Sequence, residues 1–183
     1  IDSMHQTPTF SEHGKAMVRV TEIRNGEFID ISSAVKVDEA TFKLFTKNYQ
    51  PVIGDILIAR VGAYFGSTTY IDKDLIFCLG QNTASIRAED IDSLFLFFFT
   101  KSQCLTNQLK NAVSMGAQPS LSLDAIKQIK VPYPPLSEQK IISNSIKSIM
   151  KLISNTQIKL IQIELIKKSI LQDLLSGSKR VKV

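Results

Sequence analysis

The sequence predicts an α+β fold: a domain of small mixed sheets and short helices, followed by one long C-terminal helix. Three observations predict it. Over the first 130 or so residues, short strand-like runs alternate with Gly, Asp and Asn turns. At Val131-Pro132-Tyr133-Pro134-Pro135 the prolines rule out a continuing helix or a central strand, and favour a stiff, extended connection. From Ser137 to about Leu175 there is no Gly or Pro, and apolar residues recur at helical spacing. The expected division is a globular domain over residues 1–133 and a helical arm over 134–183.

The elements follow in order. Met17-Val18-Arg19-Val20 reads as a strand, and a helix from about Asp38 to Lys47 turns Phe42 and Phe45 inward. Asp55 to Arg60 forms a strand after the turn at Gly54, and Ser67–Ile71, Leu75–Leu79 and Thr83–Arg87 follow at short spacing. A helix from about Ile91 to Val113 is apolar nearly all round at its start, so its phenylalanines belong to a core rather than to a stacking platform. Ser114 to Ser120 is a turn-rich loop, then a short helix near Leu123–Gln128 precedes a strand-like Ile129-Lys130-Val131.

In the arm, Ser137 is placed to cap the helix, with Glu138 near the positive end of its dipole. Ile142, Ile146, Ile149, Ile153, Leu160, Ile163, Ile170 and Leu174 fall on one seam of alternating three- and four-residue steps, interrupted by Thr156 and Lys167. Such a helix spans roughly 58 Å at about 1.5 Å per residue. Ser176-Gly177 ends it. A seam of that length needs a second long helix, and the chain reads as having one. A second copy, pairing as an antiparallel coiled coil, is the simplest supply, which makes a homodimer the expected state.

Composition narrows the function classes. Net charge is +5, but from Lys127 onward there are eleven Lys/Arg against three Asp/Glu, and before it eleven against fourteen. The basic excess sits on the arm, which is compatible with a nucleic-acid partner and also with solvated lysines such as Lys147, Lys151 and Lys159. The densest apolar run, Leu94–Phe99, is six residues long and too short to cross a bilayer. No signal-peptide pattern opens at Ile1, and Cys78 and Cys104 read as buried free thiols, so a cytoplasmic protein without membrane attachment is expected. Nothing reads as catalytic. His5 and His13 lie close to the N-terminus, no Cys/His spacing suits zinc, and Gly62 to Gly66 lacks the Lys-Ser/Thr of a phosphate loop. No nucleophile has a recognisable base, and no metal or cofactor is implied. The Asn-Pro-Pro-aromatic order of amino-methylating enzymes is absent, since here the order is Tyr133-Pro134-Pro135-Leu136.

The order of motifs resembles the specificity subunits of Type I restriction-modification systems. Val131-Pro132-Tyr133-Pro134-Pro135-Leu136-Ser137-Glu138-Gln139-Lys140-Ile141-Ile142 is similar to that family's entry into its long helix, a "PPL-x-EQ-x-x-I" run. Gly54-Asp55-Ile56-Leu57, Gln81-Asn82, Gly116 to Ser122 and Leu174 to Val181 resemble four further family segments. The resemblance covers nearly the whole chain. It implies a target-recognition domain that binds one half of a bipartite double-stranded DNA target, on a helix that acts as spacer and scaffold. Methyltransferase and restriction endonuclease subunits would be its partners and would supply catalysis. A full subunit of the family carries two such domains and two long helices, whereas this chain reads as one of each, a half-subunit or a fragment.

Family members read DNA through loops and strand ends. The resemblance accordingly points to Arg60, Tyr64 and Ser67 around the glycine turn, to Gln81 and Asn82, and to Gln118 and Ser120 in the turn-rich loop. Lys15, Arg19 and Arg24 are candidate phosphate neutralisers. As turn-formers or outward strand residues, several of these need no DNA to account for them. Three other readings fit the residues: a recognition domain detached from a single-chain restriction-methylation enzyme, a coiled-coil interaction protein that does not touch DNA, and a degenerate fragment with no activity.

Overall fold

A computed structural model describes residues 6–24, 27–112 and 120–180. The chain divides into two compact units, Ile1–Lys140 and Ile141–Val183.

In the first unit, β1 (Phe10–Val18) pairs antiparallel with β2 (Lys36–Val37) and parallel with β5 (Phe77–Leu79). The second sheet is antiparallel, with β3 (Ile56–Ala59) between β4 (Thr68–Tyr70) and β6 (Thr83–Ile86). Alternation along each strand sorts the side chains into layers. Leu57 and Ala59 meet Val18, Phe77 and Leu79 between the two sheets. Ile56 and Ile58 face the other way, onto Leu96, Phe97, Phe99, Leu105 and Leu109 of helices α3 (Ser93–Thr100) and α4 (Gln103–Ala112). On the outer face of the first sheet, Met17 and Cys78 pack on Phe45 and Phe42 of α2 (Glu39–Thr46). Strand β3 is thus covered on both faces, which is why it is an unbroken apolar run without polar alternation.

Helix starts follow their caps. The Asp38 carboxylate accepts from the Thr41 amide (2.7 Å) at α2, Asp92 from Phe95 (2.8 Å) at α3, and Ser122 Oγ from Ala125 (3.0 Å) at α5 (Leu123–Lys127). The inward Phe42 and Phe45 and the core role of the phenylalanines are as expected. Other expectations are corrected. The first strand ends at Val18, because the Glu22 carboxylate accepts the Arg19 amide (2.7 Å) and turns the chain into the single-turn helix α1 (Val20–Ile23). The expected helix from Ile91 to Val113 is two helices. Lys101 and Ser102 donate back three residues, to Phe98 (3.0 Å) and Phe99 (2.9 Å), and Ser102 Oγ then accepts the Leu105 amide of a new helix. Ile129–Val131 forms no strand; Gln108 supplies both partners a ladder would give, accepting from the Lys130 amide (2.8 Å) and donating to its carbonyl (2.9 Å). Of the two free cysteines, Cys78 is buried and Cys104 is exposed.

The long helix α6 runs Leu136–Leu175, 40 residues or about 60 Å. It starts one residue before the expected cap: the Pro135 carbonyl accepts from the Glu138 and Gln139 amides, so Ser137 lies inside the first turn. Gln139 is 1% exposed, accepts from the Asp92 amide (2.8 Å) and donates to the Pro134 carbonyl (2.8 Å), a direct structural use for the Glu-Gln of the helix-entry motif. Further along, Ile149, Ile153, Leu160, Ile163, Ile170 and Leu174 of the seam are 43–62% exposed, and Ile142 and Ile146 are half-buried. Among the described residues, no helix is long and apolar enough to cross a membrane.

At the start of β3, Asp55 is fully buried and fourfold bonded. Arg87 donates to both its oxygens (2.7 and 2.8 Å), and the Tyr49 hydroxyl (2.7 Å) and the Val52 amide (3.1 Å) complete the set. Burial pushes the carboxyl's pKa up, but these donors outweigh it and hold the value below the ordinary range. With the folded pKa depressed, the group stabilises the fold at pH above about 4 and loses that contribution as pH falls further. Because Arg87 is 41% exposed, the pair is partly screened. Asp55→Asn is expected to cost about 2–3 kcal/mol at pH 7, and much less near pH 3. Urea melts of both proteins at the two pH values check this, and equal destabilisation at both would contradict it.

Candidate nucleic-acid interface

Strand directions bring several loops to one end of the first unit. Val18, the last residue of β1, lies beside Leu79, the last of β5. From there Gly80-Gln81-Asn82 leads into β6, whose first residue Thr83 pairs with Ala59, the last of β3. The chain after β1, the turn after β3 and the turn before β6 therefore emerge together.

Hydrogen bonds knit this end. The Arg60 amide donates to the Asn82 carbonyl (2.8 Å), and the Leu121 amide donates to the Arg60 carbonyl (2.8 Å). Arg60 Nε donates to the Leu121 carbonyl (2.9 Å), and Val61 bridges Ser120. After Arg60 the chain makes a 3-10 turn, Gly62–Tyr64, and returns with the Gly66 amide on the Ala59 carbonyl (2.9 Å) and the Ser67 amide on the Tyr64 carbonyl (2.9 Å). Gly62 (φ 80°), Gly66 (φ 77°) and Asn82 (φ 63°) all adopt the left-handed conformation these tight returns need. Asn82 thus has a structural reason to be Asn, independent of any ligand.

The structure brings Arg60, Tyr64, Ser67, Asn82 and Ser120 into one region, with Gln81 next to it. The exposed side-chain amide of Gln81 donates to the Gln6 carbonyl (2.8 Å), and Gln81 lines a shallow depression of about 340 Å³ with Phe10 and Arg19. Arg19 sits at the same end, but its guanidinium contacts the buried Glu22 carboxylate (3.3 Å), a cap interaction rather than a free cation. Lys15 is exposed and three residues short of the strand end, about 10 Å away at strand rise, opposite Val37. Gln118 lies outside the described residues.

Arg24 gains most from the fold. Forty positions earlier in sequence, it places its guanidinium carbon 4.5 Å from the centroid of the Tyr64 ring and donates from Nη1 to the Tyr64 hydroxyl. No spacing rule links residues so far apart, so sequence reasoning gave Arg24 only a charge. Among the described residues, no group of three or more His, Cys, Asp or Glu side chains is gathered to hold a metal ion. The arrangement offers cations, hydroxyls, amides and close-approaching backbone, a set suited to phosphates and base edges.

A family model for the Type I restriction modification DNA specificity domain matches residues 9–165. The chain belongs to that family. It is 36% identical over 135 residues to the Type I restriction enzyme MjaVIII specificity subunit of Methanocaldococcus jannaschii, covering 70% of this chain and 32% of that protein. It is 28% identical over 170 residues to the EcoKI specificity subunit of Escherichia coli, covering 88% of this chain and 35% of that one. This specificity-family chain thus spans about a third of the length of these curated relatives. Its fold is similar to the HsdS subunit from Thermoanaerobacter tengcongensis (TM-score 0.62, 18% identity, 86% of this chain and 41% of that chain). It is also similar to a chain solved in work on complex assembly and conformational transition of the type I R-M system (TM-score 0.64, 20% identity, 98% of this chain and 42% of that chain).

The glycine turn yields a stability test. A Cβ on Gly66 would stand 2.7 Å from Leu109 Cδ1, whereas one on Gly62 meets nothing within 4 Å. Gly62→Ala is expected to cost only the left-handed strain, roughly 1 kcal/mol, and Gly66→Ala more, because core residue Leu109 must also shift. Thermal melts should rank wild type above Gly62→Ala above Gly66→Ala.

Proposed function

We propose that this chain is a DNA-reading subunit that binds one half of a bipartite double-stranded target through the strand-end surface around Arg60, Tyr64, Ser67, Gln81, Asn82 and Ser120. The observation that carries it is the convergence of those loops on one end of the domain, in a chain of the specificity family. Residues 1–133 act as the recognition domain and 134–183 as the spacer and scaffold. Methyltransferase and restriction endonuclease subunits, working with it in the cytoplasm, supply the chemistry, and the chain itself is non-catalytic.

The exposed seam of α6 supports a second part of the proposal: two copies pair through Ile142, Ile146, Ile149, Ile153, Leu160, Ile163, Ile170 and Leu174. Burying six or more such side chains against a partner removes a large apolar area from water, at about 25 cal/mol per Å². Light scattering is expected to give about twice 20.4 kDa at tens of micromolar. Ile153→Lys, which puts a charge in the seam, should return the monomer mass; a monomeric wild-type chain would defeat the dimer.

A two-fold dimer presents the same reading surface in opposite orientations, and DNA strands are antiparallel, so its target is an inverted repeat with an unread spacer. Selection from a random-sequence duplex pool, with a methyltransferase subunit of such a system present, tests this. A symmetric site supports both parts, and an asymmetric bipartite site removes the homodimer while keeping DNA reading. No enrichment at moderate salt removes the DNA-reading function and favours a coiled-coil interaction role.

A further inference from the structure

Four arginines lie in the first unit, at positions 19, 24, 60 and 87. Three are committed to partners that fold the chain: Arg19 to the Glu22 carboxylate, Arg60 to the Leu121 carbonyl, Arg87 to the Asp55 carboxylate. Arg24 is different. Among the described residues its guanidinium touches Tyr64 alone, stacked over the ring with Nη1 on the hydroxyl, and the side chain is exposed. Among the described residues no carboxylate pairs with it. It also stands at the end of the domain where the strand-end loops converge.

That geometry divides the guanidinium in two. Nη1 is occupied by the Tyr64 hydroxyl, which leaves Nε and Nη2 as two parallel donors on the remaining edge. The ring and the hydroxyl hold the plane of the fork before any ligand arrives, so less side-chain freedom is lost on binding. Two adjacent acceptors in one plane are what such an edge fits. In the major groove only guanine offers that pair, O6 and N7; adenine puts a donor beside N7, thymine offers one acceptor and a methyl, and cytosine a donor.

We infer that Arg24, positioned by Tyr64, reads a guanine in the DNA target, a specificity role that rests on the DNA-reading function proposed above. Tyr64 is a positioning residue: it aims the fork and needs no contact with the base. Because Tyr64 is itself fixed by the turn between Gly62 and Gly66, the reading group is anchored to the end of β3 although its Cα lies after β1.

The test is selection from a random-sequence duplex pool with the full chain, in the same assay, comparing wild type with Arg24→Lys, Arg24→Gln and Tyr64→Leu. Wild type is expected to require a G·C pair at one position of the half-site. Arg24→Lys keeps the charge but not the fork, and is expected to lose about tenfold or more of the preference at that one pair while affinity at other positions is kept. Tyr64→Leu is expected to weaken preference at the same pair and nowhere else, which a merely destabilised domain would not do. A wild-type site without any position that demands guanine, or variants that keep the wild-type site unchanged, would overturn the inference and leave DNA reading standing. So would an equal loss of affinity for all sequences, the signature of a phosphate contact. A wild-type chain that enriches no sequence would overturn both.

Discussion

The ion pair between Asp55 and Arg87 holds the start of β3, the central strand of the second sheet, around which the first unit is packed. Strand β3 has all four residues fully buried and contributes to two cores at once, one between the sheets and one under α3 and α4. A strand covered on both faces has no solvent side to report a slip in register. Its placement has to come from its ends. At the start, Asp55 draws Tyr49, Val52 and Arg87 around one carboxylate. At the far end, Arg60 ties the strand to Asn82 and Leu121. Between these two fixed points the apolar residues need only fill space, and the loops beyond Arg60 inherit their positions.

This division separates the residues that hold the fold from those proposed to read DNA. The acid of the Gly-Asp-Ile-Leu segment does structural work far along β3 from the strand-end surface, and the Gln of the helix-entry motif does likewise between Asp92 and Pro134. Two residues of the motifs that carry the family resemblance are thus framework. The residues proposed to read DNA are scattered across turns whose partners are distant in sequence, as the pairing of Arg24 with Tyr64 illustrates.

Elements with local causes were legible in the sequence. α2 and α5 begin at side-chain caps that sit next to them, and α6 is a long stretch free of Gly and Pro between prolines and a glycine. What the sequence concealed has non-local causes. β2 is two residues long and exists because β1 passes beside it. Lys130 is kept from strand pairing by a glutamine twenty-two residues earlier. The break at Lys101-Ser102 carries no Gly or Pro; it is made by three-residue backbone bonds and a serine cap inside an otherwise helical pattern. At the candidate interface, the family resemblance pointed to Gln81, Asn82 and Ser120, whereas the stacking of Arg24 on Tyr64 required the fold.

Most of the bonds that close the strand-end surface run from main chain to main chain: Arg60 to Asn82, Leu121 to Arg60, Gly66 to Ala59, Ser67 to Tyr64. Amides and carbonyls are common to every residue type, so these loops keep their course whichever side chains they display. A scaffold of this sort tolerates exchange of its outward residues at small cost to folding, provided the left-handed positions remain Gly or Asn. Under the proposed DNA-reading role, a change of preference then needs only substitutions at outward positions such as Tyr64, Ser67, Gln81 or Ser120, at small cost to the fold. Diversification and folding are uncoupled by the backbone itself.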